Sequence, residues 1–192
     1  LYGGRRLGKS SLLSQIEKET NLTRGSMAVY ISMETVDSSG DHVTSAWDFL
    51  YRPLPMKKLI PEYIGSMQTG WVATRQWIEK GLAQNSTLKS LYLLIDEADT
   101  LMACELRLKN NEVGFIRGLQ QLVDNLQDSC HVRYVVAGLH NMARMASDEN
   151  SVFGKAEQIA LEPFNSPDDI QRGIKLITKP LAAMGYLFAK GS

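Results

Sequence analysis

No run of apolar residues in this sequence exceeds about five, against the roughly 20 that a membrane-spanning helix needs. A transmembrane helix and a membrane partner are therefore not expected. Cysteine is scarce. Cys104 and Cys130 stand alone, in no C-x-x-C spacing, which argues against a disulfide scaffold and a cysteine zinc site. Two isolated thiols suit a reducing, cytoplasmic setting in which both act as small interior apolar groups. The three histidines, His42, His131 and His140, have no zinc-ligand spacing. A charge excess is lacking too: 21 basic residues balance 21 acidic ones, whereas a dedicated nucleic-acid binder carries a basic excess. Internal repeats, low-complexity tracts and a secretory signal are not found.

What is present fits a globular chain. Apolar residues make up 44% and charged residues 22% of 192 positions, enough for one large domain or one domain and the start of another. Short apolar runs bounded by turn residues predict strands at Met27–Met33, Leu91–Ile95, Val132–Gly138 and Gln158–Leu161, with Leu1 and Tyr2 as the end of a fifth. Helical spacing predicts helices over Ser10–Glu19, Asp41–Tyr51, Trp71–Leu82 and Val113–Leu126. Ser166 reads as an N-cap with Pro167 at the first helical position, and Pro180 as a break. The Pro-rich and Gly-containing stretch Arg52–Gly70 reads as an irregular connection with a short helix near Lys57–Ile64. Strands alternating with helices predict an α/β fold with a mainly parallel sheet covered on both faces.

The opening stretch, Gly3-Gly4-Arg5-Arg6-Leu7-Gly8-Lys9-Ser10, satisfies G-x-x-x-x-G-K-[ST] at every fixed position, and Ser11 follows. Glycines let backbone N–H groups turn inward around a phosphate. Lys9 supplies a cation for the outer phosphates, Ser10 a hydroxyl for Mg²⁺, and a helix starting here aims its positive dipole end at the anion. Arg5 and Arg6 are either further phosphate contacts or solvated loop cations.

A second cluster, Asp96 and Glu97, ends the most apolar strand, and ligands of parallel α/β sheets bind at strand carboxyl ends. Asp96 suits a carboxylate holding Mg²⁺. Glu97 suits a base that polarises a water attacking the γ-phosphate. Asp99 reads as a helix N-cap or a solvated acid. After Val132–Gly138, Asn141 is the favoured polar group for sensing the γ-phosphate or the attacking water, with His140 as the alternative. Arg133, Arg144 and Arg172 are candidates for an arginine that reaches the developing charge.

The cradle, "LLIDEAD", "AGLHN", "IALEPF" and "LITKPLAAMGY" together resemble the P-loop ATPases of the AAA-related group. More narrowly they resemble the signal-transduction ATPases with numerous domains (STAND) and the archaeal-type ATPases near them. The resemblance covers nearly the whole chain. It implies a three-layer α/β sandwich in which the strand before the cradle is central, and ATP binding and hydrolysis that switch a larger protein between states. By motif position it assigns Lys9 and Ser10 to phosphate and Mg²⁺, Asp96 to Mg²⁺ and Glu97 to base catalysis. The expected division is an ATPase core over 1–165 and a helical segment over 166–192 leading into further C-terminal domains. Homo-oligomers are compatible with it. A DNA-associated ATPase and a nucleotide switch with negligible turnover share these motifs. A GTPase would need an N-K-x-D motif, which the sequence lacks, and a small-molecule kinase an arginine-rich lid.

The chain opens on Leu1, not Met, with two residues of the strand before the cradle. It reads as an excerpt whose first strand is largely truncated. Losing roughly three or four buried residues at about 1.5–3 kcal/mol each rivals a domain stability of about 5–15 kcal/mol. The expectation is an excerpt that is unstable or inactive alone, and an active intact parent.

Overall fold

Three of the apolar runs become the strands of one parallel sheet, in the order β2 (Ser26–Ser32), β3 (Ser90–Asp96), β4 (His131–Val136). The computed structural model describes residues 1–4, 7–37, 41–62, 71–108, 114–139, 157–161, 167–168 and 171. Within them, β1 (Tyr2–Gly3) pairs in parallel with β5 (Ala160–Leu161) as a second, two-stranded sheet. One parallel bridge, Tyr2 to Gly138, ties β1 to the end of β4. It is reinforced by the Gly138 N–H donating to the Leu1 carbonyl at 3.2 Å and the Leu1 amine donating to the Val136 carbonyl at 2.9 Å. β1 therefore lies between β5 and the carboxyl end of β4.

Parallel neighbours need crossovers, and helices supply them. α1 (Lys9–Thr20) joins β1 to β2. α2 (His42–Tyr51), α3 (Pro53–Met56) and α4 (Trp71–Ala83) lie between β2 and β3. α5 (Asp99–Glu105) and α6 (Phe115–Asn125) lie between β3 and β4. Strand alternation sorts the core into two clusters. Val29, Ile31, Leu91, Leu93 and Ile95 pack in the larger cluster with the buried side chains of α2, α4 and α6. Its centre is Trp47, edge-on to Phe115 at 5.3 Å and stacked on Trp71 at 6.4 Å. Ala28, Tyr30, Tyr92 and Leu94 instead join Leu13 and Ile16 of α1.

α1 also covers the outer edge of β2, which would otherwise expose unpaired backbone groups. Its Glu17 carboxylate accepts from the Tyr30 N–H at 3.1 Å, and its Asn21 side-chain oxygen accepts from the Ala28 N–H at 2.7 Å. The two side chains are one helical turn apart and meet alternate strand residues. Lys57 donates to the same Glu17 carboxylate at 2.6 Å, fixing it from the other side.

The main elements match the expected ones to within two residues at most ends. Three differences stand out. The short helix in the connection is α3, over Pro53–Met56, not Lys57–Ile64. Pro53 sits at its first position, where a missing N–H costs nothing, and Lys58 in the left-handed region (φ 56°) ends the turn. α6 starts at Phe115 because Gly114 is extended and serves as its N-cap; Val113 lies outside the described residues. A helix at α5 was expected only in the alternative that makes Asp99 its N-cap; it instead starts at Asp99, with Ala98 as the N-cap. At the far end Pro167, Asp168 and Gln171 are helical, while Ser166 and Pro180 lie outside the described residues. No described helix is long and apolar enough to cross a membrane.

Candidate functional site

The cradle runs from the end of β1 into the start of α1. A Cβ on Gly3 would lie 2.5 Å from the Leu161 carbonyl oxygen, so a glycine is needed where β1 and β5 approach. Gly8 is the N-cap of α1 at φ 83°, a left-handed conformation that glycine adopts without a Cβ penalty. Gly4 differs, since a Cβ there would meet only the Leu7 side chain, at 3.5 Å. The steric case for glycine thus holds at 3 and 8, not at 4. Leu7 is half-buried beside the loop.

The first intrahelical bond of α1 is Leu12 N–H to the Gly8 carbonyl at 2.8 Å. Helix geometry leaves the preceding N–H groups, those of Lys9, Ser10 and Ser11 among them, without an acceptor inside the helix. The first turn carries no acidic side chain and no side-chain cap, so its positive dipole end is not neutralised locally. Lys9 is 9% exposed. Its ammonium donates to the carbonyls of Gly3 at 3.0 Å and Gly4 at 2.9 Å, closing the loop into a ring. Ser10 and Ser11 are exposed on the first turn. Arg5 and Arg6 lie outside the described residues.

Asp96 ends β3 and is 1% exposed. It lies two residues beyond Leu94, so alternation turns it to the face that α1 covers. One carboxylate oxygen accepts from the Glu97 N–H at 2.9 Å, the other from the Tyr30 hydroxyl at 2.7 Å. Glu97 is exposed and left-handed, at φ 53°. That conformation is uncommon outside glycine and costs on the order of 1–3 kcal/mol. It turns the chain so that the Ala98 N–H reaches the Ala137 carbonyl at 3.1 Å. Asp99 is neither an N-cap nor a solvated acid. It lies in the first turn of α5, and both its carboxylate oxygens accept from the Leu139 N–H at 2.9 Å, tying α5 to the segment after β4.

Tyr30, which motif reading does not single out, joins the two clusters. Its hydroxyl donates to Asp96 and has the Ser10 side chain beside it. The phenol is pushed up to about 12, first by burial, then by its hydrogen bond to Asp96 and the charge of that carboxylate. The Glu97 charge adds to the rise, and the Ser10 hydrogen bond opposes it. Ser10 of the cradle and Asp96 of the acidic pair therefore both neighbour Tyr30. The sequence signal for Tyr30 was a hydroxyl-bearing ring inside an otherwise apolar strand, on the same side as Ala28.

Among the remaining candidates that are described, none is brought to this point. Arg133 is exposed in the middle of β4, away from its carboxyl end. His140, Asn141, Arg144 and Arg172 lie outside the described residues. Among the described residues no three His, Cys, Asp or Glu side chains gather into a metal site of their own. The Ser10 and Asp96 pair is an all-oxygen donor set of the kind Mg²⁺ accepts when phosphate and water complete its shell. The residues present fit that ion.

No family model matches the sequence, and no curated protein matches it.

Proposed function

We propose that this chain is the Mg-ATP-binding and ATP-hydrolysing module of a larger cytoplasmic protein, a nucleotide switch built as a P-loop three-layer sandwich of the AAA-related and STAND kind. The observation that carries the reading is that the buried Asp96 at the end of β3 stands on the sheet face covered by the helix that starts at the cradle, hydrogen-bonded to Tyr30 with Ser10 nearby. Two motifs remote in sequence, each expected to serve the same Mg²⁺ and triphosphate, share one neighbour. The left-handed backbone of Glu97 supports it further, since strain of this kind persists where a side chain is needed. Cys104 and Cys130 are buried and free, which suits a reducing compartment.

In this reading the N–H groups at the start of α1 and the Lys9 ammonium hold the β- and γ-phosphates. Ser10 and Asp96 hold the ion; when bound, Mg²⁺ offsets phosphate charge and polarises the γ-phosphoryl group. The Glu97 carboxylate accepts a proton from water as its oxygen bonds to the γ-phosphorus. The bond from that phosphorus to the bridging oxygen breaks, leaving ADP and inorganic phosphate. Asn141 is proposed to orient the same water.

Fluorescent-ATP binding and phosphate release test the reading together. Lys9→Ala is expected to weaken ATP binding at least tenfold. Glu97→Gln is expected to keep binding within about twofold and to lower turnover by about 10²–10⁴, the usual range for a general base. Binding that is indifferent to Lys9→Ala would refute the phosphate site. Turnover that is indifferent to Glu97→Gln would leave a binding switch without hydrolysis by this residue.

A further inference from the structure

We infer that Tyr30 is the positioning residue of the metal site, its hydroxyl holding the buried Asp96 carboxylate toward Ser10 before any ion binds. The inference rests on the nucleotide reading above. Three observations carry it. Asp96 is 1% exposed, and a carboxylate taken out of water needs its lone pairs met. The Glu97 N–H meets one oxygen; at the other, the Tyr30 hydroxyl is the donor among the described residues, at 2.7 Å. Next, Tyr30 is aimed from α1 itself, because the Glu17 carboxylate accepts from its backbone N–H at 3.1 Å. The helix that carries Ser10 in its first turn thus clamps, two turns later, the strand residue whose hydroxyl holds Asp96. Finally, packing alone does not call for the hydroxyl. The ring lies against the Leu13, Ala28 and Leu94 cluster, which a phenylalanine would fill equally well.

A hydrogen-bond donor behind a ligating carboxylate fixes its orientation, and removing such a partner typically costs 10–100-fold in metal affinity. The test is a double-mutant cycle on the Mg²⁺ dependence of ATP binding, measured by calorimetry with EDTA controls. Tyr30→Phe is expected to raise the Mg²⁺ concentration for half-maximal ATP binding about tenfold or more, and to leave metal-free ATP affinity within about twofold. In an Asp96→Asn background, Tyr30→Phe is expected to add no further shift, because the hydroxyl acts through the carboxylate. If Tyr30→Phe alone does not fold, folding restored in the Asp96→Asn background shows that the hydroxyl acts on the carboxylate, and a double variant that also fails to fold overturns the inference. An unmoved or lowered Mg²⁺ requirement in Tyr30→Phe, or an equal shift in both backgrounds, overturns the inference while the nucleotide reading stands. An intact wild-type parent protein that binds no ATP with or without Mg²⁺ overturns both.

Discussion

Glu97 offers a direct measurement of strain at the candidate site. Its φ of 53° is left-handed, where an L-residue pays about 1–2 kcal/mol relative to the right-handed region and glycine does not. Comparing Glu97→Gly with Glu97→Ala isolates this backbone effect, because both variants remove the same exposed side chain and the same charge beside Asp96. Against the strain relief stands the looser unfolded chain of the glycine variant, worth about 0.4–1 kcal/mol in favour of alanine. The difference leaves Glu97→Gly more stable than Glu97→Ala by about 0.8 kcal/mol at the midpoints, within a range of about 0–1.6. At an ordinary strand or helix position the order is reversed by a similar amount, so the sign alone decides. Urea titrations with matched slopes measure it, and a calorimetric midpoint about 2–4 °C higher per kcal/mol provides the check. Glu97→Ala equal to or more stable than Glu97→Gly would refute a strained Glu97. Both variants are expected to lose ATP turnover, so a glycine that stabilises and inactivates would tie the strain to the carboxylate.

Alanine at the two constrained glycines separates clash from conformation. Gly8→Ala has no atom within 4 Å of the new Cβ and is expected to cost only the left-handed backbone, about 1–2 kcal/mol. Gly3→Ala sets a Cβ 2.5 Å from a backbone carbonyl and should force β1 from β5 at about 1–3 kcal/mol; denaturant midpoints and amide exchange at Leu161 would show the difference. The raised phenol of Tyr30 gives a pH signature. The folded state keeps a proton that the unfolded chain releases, so the contribution of Tyr30 is complete below pH 10 and is lost as pH rises through about 12. Alkaline urea titrations should therefore show wild type losing more stability across that window than Tyr30→Phe, and parallel losses would contradict the buried Tyr30–Asp96 contact.

Periodicity carries most of the fold because burial carries most of the elements. β3 reads as a buried strand since Leu91, Leu93, Leu94 and Ile95 are all inaccessible to solvent, and α6 reads as a helix since Phe115, Ile116, Leu119 and Leu122 recur on one buried face. The failures have local causes. α5 has seven residues, no side-chain cap and only three buried side chains, too short for a period to show beside the acidic motif that precedes it. α3 was displaced because Pro53 and Pro55 read as breakers. In a single first turn, proline is instead compatible with the helix, whose early N–H groups have no intrahelical acceptor.

The candidate site divides along a similar line. Gly8, Lys9, Ser10, Asp96 and Glu97 were legible because phosphate and magnesium chemistry call for those residue types at those spacings. Tyr30 was not, because its role depends on register. Ser32 pairs with Asp96 and Tyr30 with Leu94, so Tyr30 and Asp96 stand on one face, two residues apart along adjacent strands. A slip of one residue would turn Tyr30 toward the Trp47 side and bring Val29 and Ile31 toward α1. The pins against that slip are Glu17 and Asn21, whose side chains hold the backbone of Tyr30 and Ala28. The helix that begins at the cradle thereby sets the strand register that delivers a hydroxyl to Asp96. Its first turn and its third are parts of one site, and weakening the Glu17 or Asn21 contact should disturb Asp96 without touching any motif residue.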